Sequence, residues 1–573
     1  MKKSILTPLL GACEYTTYAY DGWGALTNTV YSDGTPSISI SNDALGRQIE
    51  ACDAAGVTTF AYDAYGMNTN ETVVGLAGTN VLERFVDAYG RDVGYALNGE
   101  RRTVLSRDLA TGRVTTMRVA GCTNDFAWTY HPGSDLKRTL RYPNGALVTW
   151  EYEPLRDLMT LVSNDVYSSF RYTYAEAGKR VSKNDERYFY NARGELILAT
   201  NVVTGVEFAY RYDDIGNRLW SREFGTNCTY VANGLNQYTD VVRGGVYERT
   251  AFDLDGKQTN VVTATGEWAV EYNSENRPVR WTRTLDGATV LMAYDRMGRR
   301  VMKDDETFVY DGYLNVSRTV WDPTEPVATR PLVWLDVGKD SYYFHDGNKN
   351  VVGLVSGNGL EWNCSTYDYA PYGASLLLAD ANPWRFSSEY CDVVLGLSYY
   401  NYRHYSETFG RWLCYDPIED IRIRQHSMFI APLAFDGAIN SFCFVGNDAI
   451  SVYDLEGLAC GSGWNEPFVP DAPGGFDFGS ACQNHDDCYG TCGENKGRCD
   501  AKFLADMMAV CKRAPPPYES LCFSEYTHTY YPCTISPQAQ CESYAQTYYA
   551  AVSSFGQGPF DRAQDECCKE KKE

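Results

Sequence analysis

The sequence predicts a mainly β protein, a spiralling or stacked sheet of short repeats followed by a small α-helical, disulfide-rich domain. Three observations carry this: a turn signal recurring every 20 to 22 residues, a composition tilted towards strands, and cysteines crowded near the end. With 573 residues, 44% of them hydrophobic, the chain is long enough for an extended array with a continuous core. Its 45 tyrosines, 50 glycines and 22 prolines favour strands and turns over long helices.

The turn signal is plainest at Asn191, Asp213, Asn233, Asp253, Asn273 and Asp295. Three residues after each stands Gly194, Gly216, Asn236, Gly256, Asn276 or Gly298. Asp and Asn bond to their own backbone turn, and Gly and Asn tolerate positive φ, so each unit predicts a hairpin turn between alternating strands. Earlier copies stand at "NDALGRQ", "CDAAGVT", "YDAYGMN" and "VDAYGRD". A fixed period with a strand on either side of each turn predicts neighbours that bury one another's faces, so these Asp and Asn residues read as structural, not as acid/base groups.

The net charge of -23 offers no basic surface that could track phosphates, which argues against a nucleic-acid partner. No run of about 18 apolar residues occurs, so no transmembrane helix is expected. The start, "MKKSILTPLLGAC", has an apolar stretch interrupted by Pro8 and near the lower limit for a signal segment, so export through it is not expected.

The Tyr-Asp-x-x-Gly-Arg repeat resembles the Rhs/YD-repeat family, and the likeness sharpens at "RFSSEYCDVVLGLSYYNYRHYSETFGRWLCYDPI", residues 385–418. It resumes at "DGAINSFCFVGNDAISVYDLEGL", residues 436–458, similar to the stretch that closes the family's core before a variable C-terminal domain. The resemblance implies a β shell over 1–384, a core-closing segment over 385–458 and an effector, usually a toxin, over 459–573. It further implies a secreted or cell-surface bacterial protein, an immunity protein as partner, and aspartyl self-cleavage after Leu458 by Asp416 and Asp454. Two carboxylates sharing a proton can activate water. The sequence departs from the family at Glu419 and Leu455, where Gly and Pro are expected, and carries the insert "EDIRIRQHSMFIAPLAF".

Eleven of the 19 cysteines fall between Cys460 and Cys568, a density that predicts a disulfide scaffold, whereas the eight upstream thiols read as ordinary buried side chains. Zinc is the rival reading of such a cluster, but paired Cys-x-x-Cys ligands are missing. In "SACQNHDDCYGTC", Ser480 and Gln483 match a capping box, so a helix starts here with Cys482, His485, Cys488 and Tyr489 along one side. Asp486 lies about 100° around that helix. A second helix is predicted in "RCDAKFLADMMAVC", where Cys499, Phe503, Met507 and Val510 or Cys511 recur at helical spacing, with Asp500 on the flank. Cysteines on both helices can staple them antiparallel and bring Asp500 towards His485. The Gly- and Pro-rich loop "GSGWNEPFVPDAPGGFDF" offers carbonyls that, with Asp486, suit calcium, although no EF-hand pattern is present. Asp487 and Asp506 read as solvated helix residues, and His528, in the loop-like "SEYTHTYYPC", as structural.

"PDAPGGFDFGSACQNHDDCYGTC" followed by "RCDAKF" resembles the secreted phospholipase A2 superfamily, especially its small cysteine-rich bacterial and fungal members. The resemblance makes His485 the base that takes a proton from water and Asp500 the acid that orients it. It places Ca2+ on Asp486 and on loop carbonyls near Gly463, Trp464 and Asn465, where it polarises the sn-2 ester carbonyl. The loop lacks the Cys-x-Cys-Gly-x-Gly-Gly run of vertebrate members. Nine basic against sixteen acidic residues in the tail favour zwitterionic phospholipid, in membranes or vesicles, over strongly anionic lipid. Two rivals stand beside this reading: a non-enzymatic surface module with a disulfide-stapled binding domain, and a different hydrolase using the same histidine.

Overall fold

The computed structural model describes residues 4–6, 15–325 except 177, 330–375 except 337–338 and 358–361, 382–415 and 440–454. Beyond these it describes Arg498, Lys502, Leu504, Ala505, Met507, Met508, Cys511, Lys512 and two strands, Tyr518–Ser524 and Thr529–Ile535. The chain divides into two compact units, one of residues 1–425 with 440–460, the other of 426–439 with 461–573.

Within the first unit every strand pairs antiparallel with its neighbour in sequence, giving consecutive sheets of ten, fifteen and seven strands among the described residues. The predicted turns explain this order. At each, the first residue's carboxylate or amide oxygen accepts the backbone N–H groups two and four residues on, as Asp213 does from Ile215 (3.0 Å) and Asn217 (2.8 Å). The residue three positions on closes the turn at positive φ: Gly194, Gly216, Gly256 and Gly298 at 77° to 85°, and Asn236 and Asn276 at 60° and 62°. These Asp and Asn residues are structural, as the periodicity predicts.

At several turns the tyrosine ahead of the Asp or Asn has a role that the composition alone did not assign. Its hydroxyl reaches back to a backbone carbonyl just past the preceding turn: Tyr62 to Gln48 (2.7 Å), Tyr272 to Gln258 (2.8 Å) and Tyr294 to Pro278 (3.1 Å). These repeats are thereby hooked to the ones before, each through a bond worth about 1 kcal/mol.

A five-stranded sheet spanning Thr319–Trp321 to Trp362–Thr366 lays Val320, Val333, Phe344 and Val355 against Phe126, Trp128, Val148 and Val162 of the fifteen-stranded sheet. The repeat array also meets itself. Ser274 N–H donates to Thr35 Oγ1 (3.1 Å) and Arg296 N–H to Asp53 Oδ2 (2.8 Å), so repeats about 240 residues apart lie side by side.

Of the upstream thiols, Cys52, Cys122, Cys228 and Cys364 are free, as expected. Only Cys228 and Cys391 are buried and Cys364 is exposed, which corrects the uniform burial predicted for them. In the second unit Arg498, Lys502, Leu504, Ala505, Met507, Met508 and Cys511 are helical, in the stretch where the spacing places a helix. Met507 and Cys511 have no exposed surface, and Cys511 is disulfide-bonded. The stretch "SEYTHTYYPC" is not simply a loop: Ser524 and Thr529–Ile535 belong to an antiparallel hairpin in which Ser524 pairs with Thr529 and Leu521 with Pro532. Aromatic and β-branched residues outweigh the turn signal there. His528 lies outside the described residues. No helix among them is long and apolar enough to cross a membrane.

Candidate functional site

Of the candidate catalytic, metal-binding and self-cleavage residues read from sequence, Asp454 is the one whose surroundings are described. His485, Asp486, Asp500, Gly463, Trp464, Asn465 and Asp416 lie outside the described residues. The described part of the site is therefore the segment that closes the repeat array, residues 385–415 and 440–454.

That segment runs along the turn edge of the repeats in reverse order. Asp392 pairs with Lys303 (2.7 Å) and Arg300 (3.4 Å). The Tyr402 carbonyl accepts from Arg277 (2.8 Å), and Tyr415 Oη from Asn276 Nδ2 (2.7 Å). Arg411 donates to the Asn236 carbonyl (2.6 Å) and Asn440 to Asn217 Oδ1 (2.7 Å). Asn447 donates to the Gly216 carbonyl (2.9 Å), Asp448 pairs with Lys179 (2.7 Å), and the Ile450 carbonyl accepts from Arg180 (2.6 Å). The turn residues Asn217, Asn236 and Asn276 thus do two jobs, shaping their own hairpins and receiving the segment.

Aromatic packing supports these bonds. Tyr400, Tyr405, Trp412 and Phe444 are almost fully buried against Tyr188, Leu196 and Tyr210 of the repeats, and Leu395, Leu397 and Leu413 against Trp268 and Trp281. The Arg218 guanidinium, 2% exposed, has no hydrogen-bond partner and sits 3.9 Å from the Tyr372 ring centroid and 4.8 Å from that of Tyr210. Cation–π attraction to two rings takes the place of hydrogen bonds. Gly410, at φ 63°, lies against that guanidinium so closely that a Cβ would fall 2.0 Å from an Arg218 nitrogen.

The segment's charges are set by the same burial. Burial raises the Asp392 carboxyl, but Lys303 and Arg300 outweigh it and hold the group below its ordinary range. At Glu407 the balance is reversed: burial pushes the carboxyl up to about 7, outweighing the Ser398 hydroxyl bond and the Arg385 charge.

At the end of the segment Asp454 pairs with Arg403 (3.4 Å), both side chains without exposed surface. Arg403 also donates to the Ser441 carbonyl (3.2 Å) and lies 4.0 Å from the Trp412 ring centroid. A buried carboxylate needs such a partner, because water no longer solvates it. Sequence reasoning named Asp454 and missed Arg403; the signal was an arginine beside buried aromatics in "NYRHYSETFGRW". Among the described residues no group of His, Cys, Asp and Glu is placed to hold a metal ion.

No known family profile matches the chain. Over 109 residues, 18% of its length, it is 34% identical to the Group XIIB secretory phospholipase A2-like protein of Mus musculus, of which it spans about half, 49%. Over 250 residues it is 25% identical to the tRNA3(Ser)-specific nuclease WapA of Bacillus spizizenii, of which it covers 10%. Its fold is similar to that of the TcdB2-TccC3-TEV crystal structure, with a TM-score of 0.54 at 16% identity, covering 78% of this chain and 26% of that one. The Tc holotoxin pore of Photorhabdus luminescens gives a TM-score of 0.52 at 15% identity, covering 80% of this chain and 27% of its counterpart. The chain thus shares the β fold of solved Tc toxin chains and spans about a quarter of their length.

Proposed function

We propose that this is an Rhs-type, toxin-like protein whose tail, residues 459–573, is a calcium-dependent phospholipase A2. The observation that carries the reading is the run Cys482-x-x-His485-Asp486-x-Cys488 ahead of Cys499-Asp500, in a chain with a 109-residue match to a secretory phospholipase A2-like protein. Helical positions between Arg498 and Cys511, and the disulfide at Cys511, support it.

In this reading His485 takes the proton of the attacking water, and Asp500 orients the imidazole and stabilises its charged form. The donors assigned to calcium, the Asp486 carboxylate and the carbonyls of Gly463, Trp464 and Asn465, form the hard-oxygen set that this ion prefers. Bound there, the ion supplies a Lewis acid for the ester carbonyl and its oxyanion. The products are a lysophospholipid and a fatty acid, and no acyl-enzyme is needed. The substrate is phospholipid in a membrane or vesicle, and the setting is secreted or cell-surface in a bacterium, with an immunity protein as partner. Asp416 and Asp454 form the pair for release of the tail after Leu458; an intact chain on a denaturing gel, identical for wild type and Asp416→Asn, removes that step.

The test is fatty-acid release from phosphatidylcholine vesicles by the full chain. Release that needs calcium and is lost in His485→Gln supports the assignment. Release unchanged in His485→Gln points to another hydrolase, and no release to a binding module.

A further inference from the structure

Where the fifteen-stranded sheet packs on the five-stranded one, the two layers enclose a small cavity inside an otherwise apolar interface. Val148, Val162 and Leu332 supply part of its wall, and Trp150, Arg330 and His345 bring polar atoms to the rest. Its volume is about 10 Å³, close to what one water-sized sphere needs.

The three polar side chains share a feature that the other polar groups around the cavity lack. Trp150 Nε1, Arg330 Nε and His345 Nε2 are buried and have no hydrogen-bond partner among the described residues. Trp150 is 4% exposed, Arg330 6% and His345 5%, so none of them reaches bulk solvent. Glu325 Oε1 stands 3.6 Å from Arg330 Nε, beyond hydrogen-bond reach, and already accepts from Lys137 Nζ at 2.6 Å. The neighbouring polar groups are all engaged. Asp322 accepts from Lys137 and Thr324, Tyr142 donates to the Tyr343 carbonyl, and Asn164 donates to Ser168 and to the His345 carbonyl.

Each unpartnered nitrogen comes from a different stretch of chain. Trp150 lies on strand Leu147–Tyr152 of the fifteen-stranded sheet, Arg330 directly precedes strand Pro331–Asp336, and His345 ends strand Lys339–His345. An unmade bond at a buried nitrogen costs more than ordering one water molecule that satisfies three of them.

We propose that this cavity is a binding site for a single water molecule, which accepts from Trp150 Nε1 and Arg330 Nε and donates to His345 Nε2, tying the two layers together through a polar joint. The imidazole suits that role. Burial, helped by the Arg330 charge, holds it well below its ordinary range, so the ring is neutral and one nitrogen is free to accept. The bond from the water fixes that nitrogen as Nε2 and puts the ring proton on Nδ1. A halide would satisfy the two N–H donors, but it would also face the bare Nε2 lone pair and the Asp322 carboxylate, which lines the same cavity. The inference rests on the packing of the two sheets and is independent of the phospholipase reading.

The test is a crystal structure of the full chain grown with bromide as the halide, measured on both sides of the bromine absorption edge. The expected result is one density peak in the cavity, about 2.7–3.2 Å from all three nitrogens, with no anomalous signal. Neutron diffraction from the same crystals in heavy water should then place the His345 deuteron on Nδ1. A cavity without density, a peak that reaches fewer than three of the nitrogens, a bromine signal there, or a deuteron on Nε2 overturns the proposal.

Discussion

The turn edge of the first repeats and the same edge between Asn191 and Arg300 are built by one local rule and end in different surroundings. Both close each hairpin with an Asp or Asn oxygen and a positive-φ residue three positions on. The first is bare, with Trp23 and Tyr65 in solvent; the second keeps tips such as Leu235 and Leu254 in solvent but is bonded beside them, at Gly216, Asn217, Asn236, Asn276 and Arg300, by residues within 392–415 and 440–447. The contrast teaches that turn shape is a property of a few adjacent residues, while coverage depends on partners 89 to 269 residues away in sequence.

The sharpest way to break the contrast is to leave the covered edge with unpaired charge. Asp392→Ala strands buried Arg300 and Lys303, and we expect a loss of about 3–5 kcal/mol in denaturant unfolding of the full chain. Next comes Gly410→Ala, where a Cβ meets the Arg218 guanidinium at a backbone angle that favours glycine; a loss of about 2–3 kcal/mol is expected by the same measurement.

Stability should also depend on pH through Glu407. An unfolded glutamate releases its proton near pH 4.3, while the folded group releases it at about 7. Between those values the native state holds a proton that the unfolded state lacks, so stability falls as pH rises through the window and levels off above it. The fall is about 2 kcal/mol with allowance for partial exposure, and Glu407→Gln should flatten it in unfolding curves taken from pH 4.5 to 7.5. The finest comparison is between hooks: Tyr272→Phe on the covered edge should cost about 1 kcal/mol, and Tyr62→Phe on the bare edge about half that, in paired melting curves.

What was legible in the sequence follows the same division. The turns at Asn191 through Asp295 were legible because an Asx side chain and a positive-φ residue act within five residues. The free upstream thiols and the burial of Met507 and Cys511 were legible for similar reasons of compartment and helical spacing. The covering of Asn217 by Asn440 and the pairing of Asp454 with Arg403 were not, because nothing local encodes a contact that depends on how the whole array curves. The strand at Thr529–Ile535 was missed because "THTYYPC" carries both a turn-like polar composition and β-forming aromatics, and pairing with Tyr518–Ser524 decided between them.

In the proposed reaction His485, Asp500 and a calcium site at Asp486 hydrolyse one ester bond of a phospholipid. Its most direct test gives the full chain vesicles of phosphatidylcholine labelled in the sn-2 acyl chain. The expected products are labelled free fatty acid and unlabelled lysophosphatidylcholine in equal amounts, both abolished by chelator and restored by added calcium. Label retained in the lysophospholipid, or release that persists in chelator, contradicts it.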